Sequence, residues 1–120
     1  MRRTKIIFNQ DALIVMEKSN SRIFLYADIV GIFCERPYLK IETICKSKKL
    51  IFHSLTEMEQ LLPDSFTICN RSTIVNLEHI IQHKTEKFAD FIHLICGRKI
   101  LVSRRRKNDV ISKIKSLLTA

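Results

Sequence analysis

Four consecutive cations, Arg104-Arg105-Arg106-Lys107, carry the most readily named chemistry in this 120-residue sequence. The planar fork of an arginine can grip a phosphate, or the O6/N7 edge of a guanine, through two parallel hydrogen bonds, which a lysine ammonium cannot. The same run could instead be a solvated face kept for solubility, with Lys115 complementing a helix dipole. Other constellations are thin. His79 and His83 stand four apart, a metal-binding spacing on a helix, but Ile80-Ile81 between them reads as strand, where that spacing separates the two by ~13 Å. His53 and His93 fall in apolar strands, and no metal site is expected. Cys34, Cys45, Cys69 and Cys96 lie more than ten residues apart with no C-x-x-C pair, and read as small hydrophobes kept reduced. No Ser/His/Asp or Cys/His arrangement is recognisable. Only two glycines occur, Gly31 and Gly97, too far apart to share a dinucleotide-binding or Walker-type phosphate loop. Neither an enzyme nor a bound cofactor is expected.

Charge says more. Lys and Arg number 21 against 12 Asp and Glu, a formal net charge of +9. Residues 97–120 hold eight of the cations and a single acid, Asp109, so this fifth of the chain carries +7. Charge polarised in this way implies a polyanionic partner. Apolar residues make up 46% of the chain, enough for a folded core and too many for a disordered tail. The longest apolar run, Ile29 to Cys34, has six residues against the ~18–20 that cross a bilayer, so no membrane association is expected. After Arg2 and Arg3, the polar residues Asn9, Gln10 and Asp11 intervene before a signal-peptide core of ~7–15 apolar residues can form. The expected compartment is the cytoplasm.

The elements that must position these side chains are mostly short strands. Runs of four to seven residues rich in Ile, Val, Phe and Tyr alternate with polar clusters, which is strand patterning. Strands are expected at Lys5–Phe8, Ala12–Glu17, Arg22–Tyr26, Ile29–Cys34, Tyr38–Ile44, Lys49–His53, Ile80–Lys84, Phe91–Cys96 and Lys99–Ser103, spaced as in an all-β meander. Within Tyr38–Ile44, Leu39, Ile41 and Thr43 fall on one face and Tyr38, Lys40 and Glu42 on the other, as in a sheet with one solvated side. Gly97-Arg98 reads as a two-residue hairpin turn with glycine first. Two segments break the alternation. Ser54-Leu55-Thr56-Glu57 is a capping-box signature, and Leu55, Met58, Leu61 and Leu62 follow at helical spacing until Pro63. A second helix carries Val110, Ile111, Ile114, Leu117 and Leu118 as one apolar stripe, with Asn108 as its expected cap. No repeat or linker divides the chain, so residues 1–120 are expected to form one domain.

The segment FTICNRSTIVN, Phe66 to Asn76, followed by Leu77-Glu78-His79-Ile80 and, after two strands, by ILVSRRRK, resembles the LytTR family of bacterial DNA-binding domains. YADIVGIFCERPYLKIET and FHSLTEMEQLLPDSF are similar to that family's earlier strand and helix segments. In the family's order and spacing, the resemblance covers about residues 12 to 118. It implies a mainly β fold of small, mostly antiparallel sheets, with a short middle helix near 54–62 and a C-terminal helix near 108–118.

The resemblance also implies a sequence-specific regulator of transcription that binds double-stranded DNA. Family members set loop side chains into successive major grooves, commonly at paired direct repeats that accommodate a second copy, and bend the duplex. Carried over residue by residue, the base-contacting positions are Arg71, Arg105 and Tyr38. Phosphate or supporting contacts fall to Arg36, Lys40, Asn70, Ser72, Ser103, Arg104 and Lys107. Pro37 stands where the family usually carries a polar residue, which weighs against direct base contact from the first loop, and Ile68 and Asn70 replace the family's more usual Arg and His, which implies a different preferred site. Asn76 is expected to hold nearby backbone where a strand ends. About a dozen residues precede the resemblance, so a stand-alone form without the receiver domain of response regulators is expected. One alternative is a basic protein-interaction module that docks an acidic signalling partner. An RNA binder is disfavoured, since no Trp and no evident stacking pair of aromatics is present.

Overall fold

The computed structural model describes residues 2–119, with the backbone alone at 118 and 119. Eleven strands form three antiparallel sheets. The first comprises β1 (Ile6–Phe8), β2 (Ala12–Met16) and β3 (Ser21–Leu25) in sequence order. The central sheet contains β4 (Ile29–Glu35), β5 (Tyr38–Thr43), β6 (Lys48–Ile51), β7 (Phe66–Asn70) and β8 (Thr73–Asn76). Its order is β6-β5-β4-β8-β7. The third contains β9 (Ile80–Glu86), β10 (Ala89–Leu94) and β11 (Lys99–Val102). Helix α1 spans Leu55–Leu61 and α2 spans Lys107–Thr119.

The chain is therefore mainly β as expected, but it is not a simple meander. β4 pairs with β8, its neighbour across more than thirty intervening residues, with Phe33 opposite Thr73 and Gly31 opposite Val75. β7 and β8 were not among the expected strands. Both are buried along most of their length and show no polar face for alternation to reveal.

Burial on both faces governs the central sheet. Ile29, Ile32, Leu39 and Ile41 point into one core with Leu13, Val15 and Phe24 of the first sheet and Met58 of α1. Val30, Phe33 and Val75 point into a second core with Ile92, Leu94, Ile100 and Val102 of the third sheet and Val110 of α2. A bulge between Ile29 and Gly31 keeps both sets in register. A Cβ at Gly31 would lie 2.7 Å from the Ile74 carbonyl oxygen, so the close approach of β4 to β8 needs a glycine there. The expected solvated face of β5 is likewise covered. Glu42 is buried and paired with Arg98, whose guanidinium lies 3.9 Å from the Phe33 ring centroid.

Local signals are read in part. The Ser54 hydroxyl accepts from the Glu57 backbone N–H at 3.3 Å, and α1 ends before Pro63. The reciprocal half of the capping box is absent: the Glu57 carboxylate pairs with Arg3, and the Ser54 N–H donates to His53 Nδ1 at 3.0 Å. Asn108 does not cap α2, which starts one residue earlier with the Arg106 carbonyl accepting from the Val110 N–H. Of its expected stripe, the Leu118 side chain lies outside the described residues. The hairpin at Gly97 has three loop residues, Ile95-Cys96-Gly97, closed by Leu94 N–H to Arg98 carbonyl at 2.9 Å, with Gly97 at φ +95. β9 and β10 are joined by Lys87-Phe88, at φ 49 and 69. Two left-handed residues define a type I′ turn, and a side chain with a Cβ costs roughly 1–2 kcal/mol at each position.

The thiols sort by environment. Burial pushes Cys69 up to about 12, whereas a hydrogen bond with the Thr43 hydroxyl lowers the exposed Cys45. In the native protein, an aromatic disulfide reagent should label Cys45 first and Cys96 next, half-buried Cys34 more slowly, and Cys69 only on unfolding. Release of four equivalents in one fast phase would contradict this placement.

Candidate nucleic-acid interface

Three turns meet at one end of the central sheet. Arg36-Pro37 links β4 to β5, and Arg71-Ser72 links β7 to β8. Because β4 and β8 pair with Phe33 opposite Thr73, these turns are neighbours, and the Cys34 N–H donates to the Ser72 carbonyl at 2.9 Å. The junction from β11 to α2 joins them through two bonds to β7. Ser103 N–H donates to the Cys69 carbonyl at 3.0 Å, and Asn70 Nδ2 donates to the Leu101 carbonyl at 2.7 Å.

Asn70 shapes the second turn. Its Oδ1 accepts from the Ser72 N–H at 2.9 Å and from the Ser72 hydroxyl at 3.0 Å. With both ends of its side chain bonded, it locks the turn that presents Arg71 to solvent. At the third turn the Ser103 carbonyl accepts from the Arg106 N–H at 3.0 Å, so Arg104 and Arg105 occupy its exposed centre. A cleft of ≈ 490 Å³ unites the two, lined in part by Asn70, Arg71, Ser103, Arg105 and Arg106. Arg71 and Arg105, far apart in sequence, thus share one concavity.

The arginines divide by what they touch. Arg3 pairs with Glu57, Arg98 with Glu42, and Arg22 bonds Ser47 at 2.6 Å. Among the described residues, Arg36, Arg71, Arg104 and Arg105 form no hydrogen bond or ion pair, and all four are exposed. Their donors remain available to an anion arriving from outside.

The family model of the LytTr DNA-binding domain matches residues 8–115. The chain belongs to the LytTR family. No curated protein matches it. The LytTr DNA-binding domain of a Bacillus cereus protein, described as a methyl-accepting/DNA response regulator, shares the fold, with a TM-score of 0.76 at 19% identity. That likeness covers 88% of this chain and 98% of the other. LytTR is a DNA-binding family rather than an enzyme class, and no helix among the described residues is long and apolar enough to cross a membrane.

In this LytTR domain the other expected site residues are already engaged. Lys40 Nζ lies 2.7 Å from Glu35 and 3.6 Å from Glu42. The half-buried Tyr38 ring packs edge-on against Phe52, with centroids 6.4 Å apart. Lys107 Nζ lies 3.2 Å from Asp90, a buried carboxylate that also meets His83 Nε2 at 2.9 Å and the Thr85 hydroxyl at 2.8 Å. The hydrogen bond from His83, followed by those from Thr85 and Lys107, holds the Asp90 carboxyl below the usual range. A depressed carboxyl stabilises the fold above its unfolded pKa of ~3.9, and that contribution is lost as pH falls through its lower folded value. The Asp90–Lys107 pair is therefore intact at neutral pH. His79 and His83 do not share a ligand: His79 Nε2 lies 2.6 Å from the Ala27 carbonyl, and His83 faces Asp90.

Sequence reasoning passed over Lys87 and Phe88 in the turn between β9 and β10. They line a cleft with Arg104 and Lys107 at the same end of the LytTR domain. Neither glycine nor asparagine marks that turn, so its only sequence signal is the gap between two strand-like runs.

Proposed function

We propose that this chain acts as a single domain that reads duplex DNA sequence-specifically and regulates transcription, with the three turns as its reading edge. The observation that carries the reading is the set of four exposed, unengaged arginines at one end of the central sheet. Arg71 and Arg105, in the shared cleft, contact base edges. Arg36 and Arg104 contact phosphate, while Asn70, Ser72 and Ser103 hold the turns that present them. Tyr38 and Lys40 support the first turn from within the protein, the Tyr38 ring against Phe52 and the Lys40 ammonium between Glu35 and Glu42. Lys107 reaches phosphate while remaining beside Asp90. Paired direct repeats would seat two copies side by side.

The test is selection of bound duplexes from a random pool at near-physiological salt, followed by a salt titration on the winner. The expected result is an enriched motif and a fall of log K with log salt of slope about −3, from the roughly three phosphates met by Arg36, Arg104 and Lys107 at ~0.9 each. Absence of any enriched motif would overturn the reading and favour an acidic protein partner. Such a partner would also need apolar surface. The exposed Ile7 and Ile23 flank Ile14 in one cross-strand row of the first sheet. That row lies on the face of the sheet opposite Leu13 and Val15, which point into the core.

A further inference from the structure

Phe88 breaks two local rules at once. It is 95% exposed, more than any other large apolar residue of the described chain. It also sits at φ 69 in a type I′ turn, beside Lys87 at φ 49, where asparagine and glycine are the residues without strain. At that exposure the ring gains little packing in exchange for either departure. Conflict between local preference and observed conformation, left uncompensated inside the molecule, is characteristic of positions that serve a partner.

The position of the turn identifies that partner. Asp90 pairs with Val102, so the tip beyond Ala89 projects past the start of the third turn. Phe88 and Lys87 line a cleft of ≈ 490 Å³ with Ser103, Arg104 and Lys107. An apolar ring flanked by cations, continuous with an arginine edge, fits a surface that is anionic outside and apolar within. Duplex DNA has that profile. We propose that the Lys87-Phe88 tip is a fourth DNA-contacting element, with the Lys87 ammonium on phosphate and the Phe88 ring against an apolar part of a base. Two sources offer that apolar surface: the 5-methyl of a thymine in the major groove, or a base face exposed where a flexible step opens around an inserted ring. This inference rests on the reading of the same end as a DNA edge.

Phe88→Gly provides the test, because it removes the ring and relieves the backbone together. With the selected duplex at fixed salt, Phe88→Gly should bind about 5- to 10-fold more weakly while its melting temperature stays level or rises. The salt slope should be unchanged, since no charge is lost. Phe88→Leu should recover part of the loss. Lys87→Gln should lower the slope by about one phosphate. Two probe duplexes separate the sources. If the ring meets a methyl, deoxyuridine in place of thymidine weakens the wild type and not Phe88→Gly. If the ring wedges into a step, 2-aminopurine brightens on binding the wild type and not Phe88→Gly. Equal affinity of Phe88→Gly and wild type, or a loss accompanied by neither probe signal, overturns the inference while leaving the reading edge intact. A wild type that selects no duplex overturns both.

Discussion

Asn76→Ala should lower the unfolding free energy by about 2–4 kcal/mol, a large share of the ~5–15 kcal/mol that holds a typical domain together. Asn76 is fully buried at the end of β8. Its Nδ2 donates to the Tyr26 carbonyl at 3.1 Å and the Ile29 carbonyl at 3.0 Å, while Oδ1 accepts from the Glu78 N–H at 3.1 Å. One amide thus ties the exit of β3 to the start of β4 and caps the helical turn at Leu77–His79. Alanine leaves the Ile29 carbonyl and the Glu78 amide short of a partner and opens a cavity. Asn76→Asp separates these causes because it keeps the volume and loses both donors. Urea unfolding at pH 7 should show Asn76→Asp to be at least as costly as Asn76→Ala, since a carboxylate would then face two carbonyl oxygens. An Asn76→Asp protein of wild-type stability would show that packing, not hydrogen bonding, is what the position supplies.

The largest effect on binding is expected at Arg105. Arg105→Ala should cost ~1–3 kcal/mol on the selected duplex, roughly 5- to 150-fold in Kd, and flatten preference at one base position. Arg104→Ala should weaken selected and scrambled duplexes by the same factor, as loss of a phosphate contact does. Lys107→Ala should also act uniformly but more weakly, because the Asp90 carboxylate 3.2 Å away already neutralises much of that ammonium. The measurement is a pair of titrations per variant, on selected and scrambled DNA, at one salt concentration. Equal losses for Arg105→Ala on both duplexes would remove Arg105 from base reading.

How much of this could be read from the residues depends on whether the deciding contact was local. The alternation of Leu39, Ile41 and Thr43, the Ser54 cap and the start of α2 near the basic run involve neighbours in sequence, and the structure departs from them by a residue or by one hydrogen bond. β7 and β8 were missed because a strand buried on both sides has no polar face to alternate with. The pairing of β4 with β8, the covered face of Glu42 and the capture of Lys107 by Asp90 join residues far apart, which periodicity does not encode. For the site, the resemblance named three turns that the structure brings to one end of the central sheet, yet it could not say that Lys40 and Lys107 already have acidic partners whereas Arg71 and Arg105 have none among the described residues. The turn at Lys87-Phe88 was illegible for the opposite reason, since its sequence contradicts its geometry.

The crossing of β4 to β8 also has a temporal side. While the chain is being synthesised, β4 waits for a neighbour that emerges roughly forty residues later, about 2–8 s at ~5–20 residues per second. Throughout that interval one edge of Ile-Val-Gly-Ile-Phe-Cys is open and able to pair with another nascent chain. The three turns, which require β4, β7, β8 and the start of α2 together, meet only once residues as far as α2 have emerged. A high proportion of long-range pairing also slows folding itself. Yield at elevated expression should therefore depend on the temperature and speed of translation more than on the final stability of the fold.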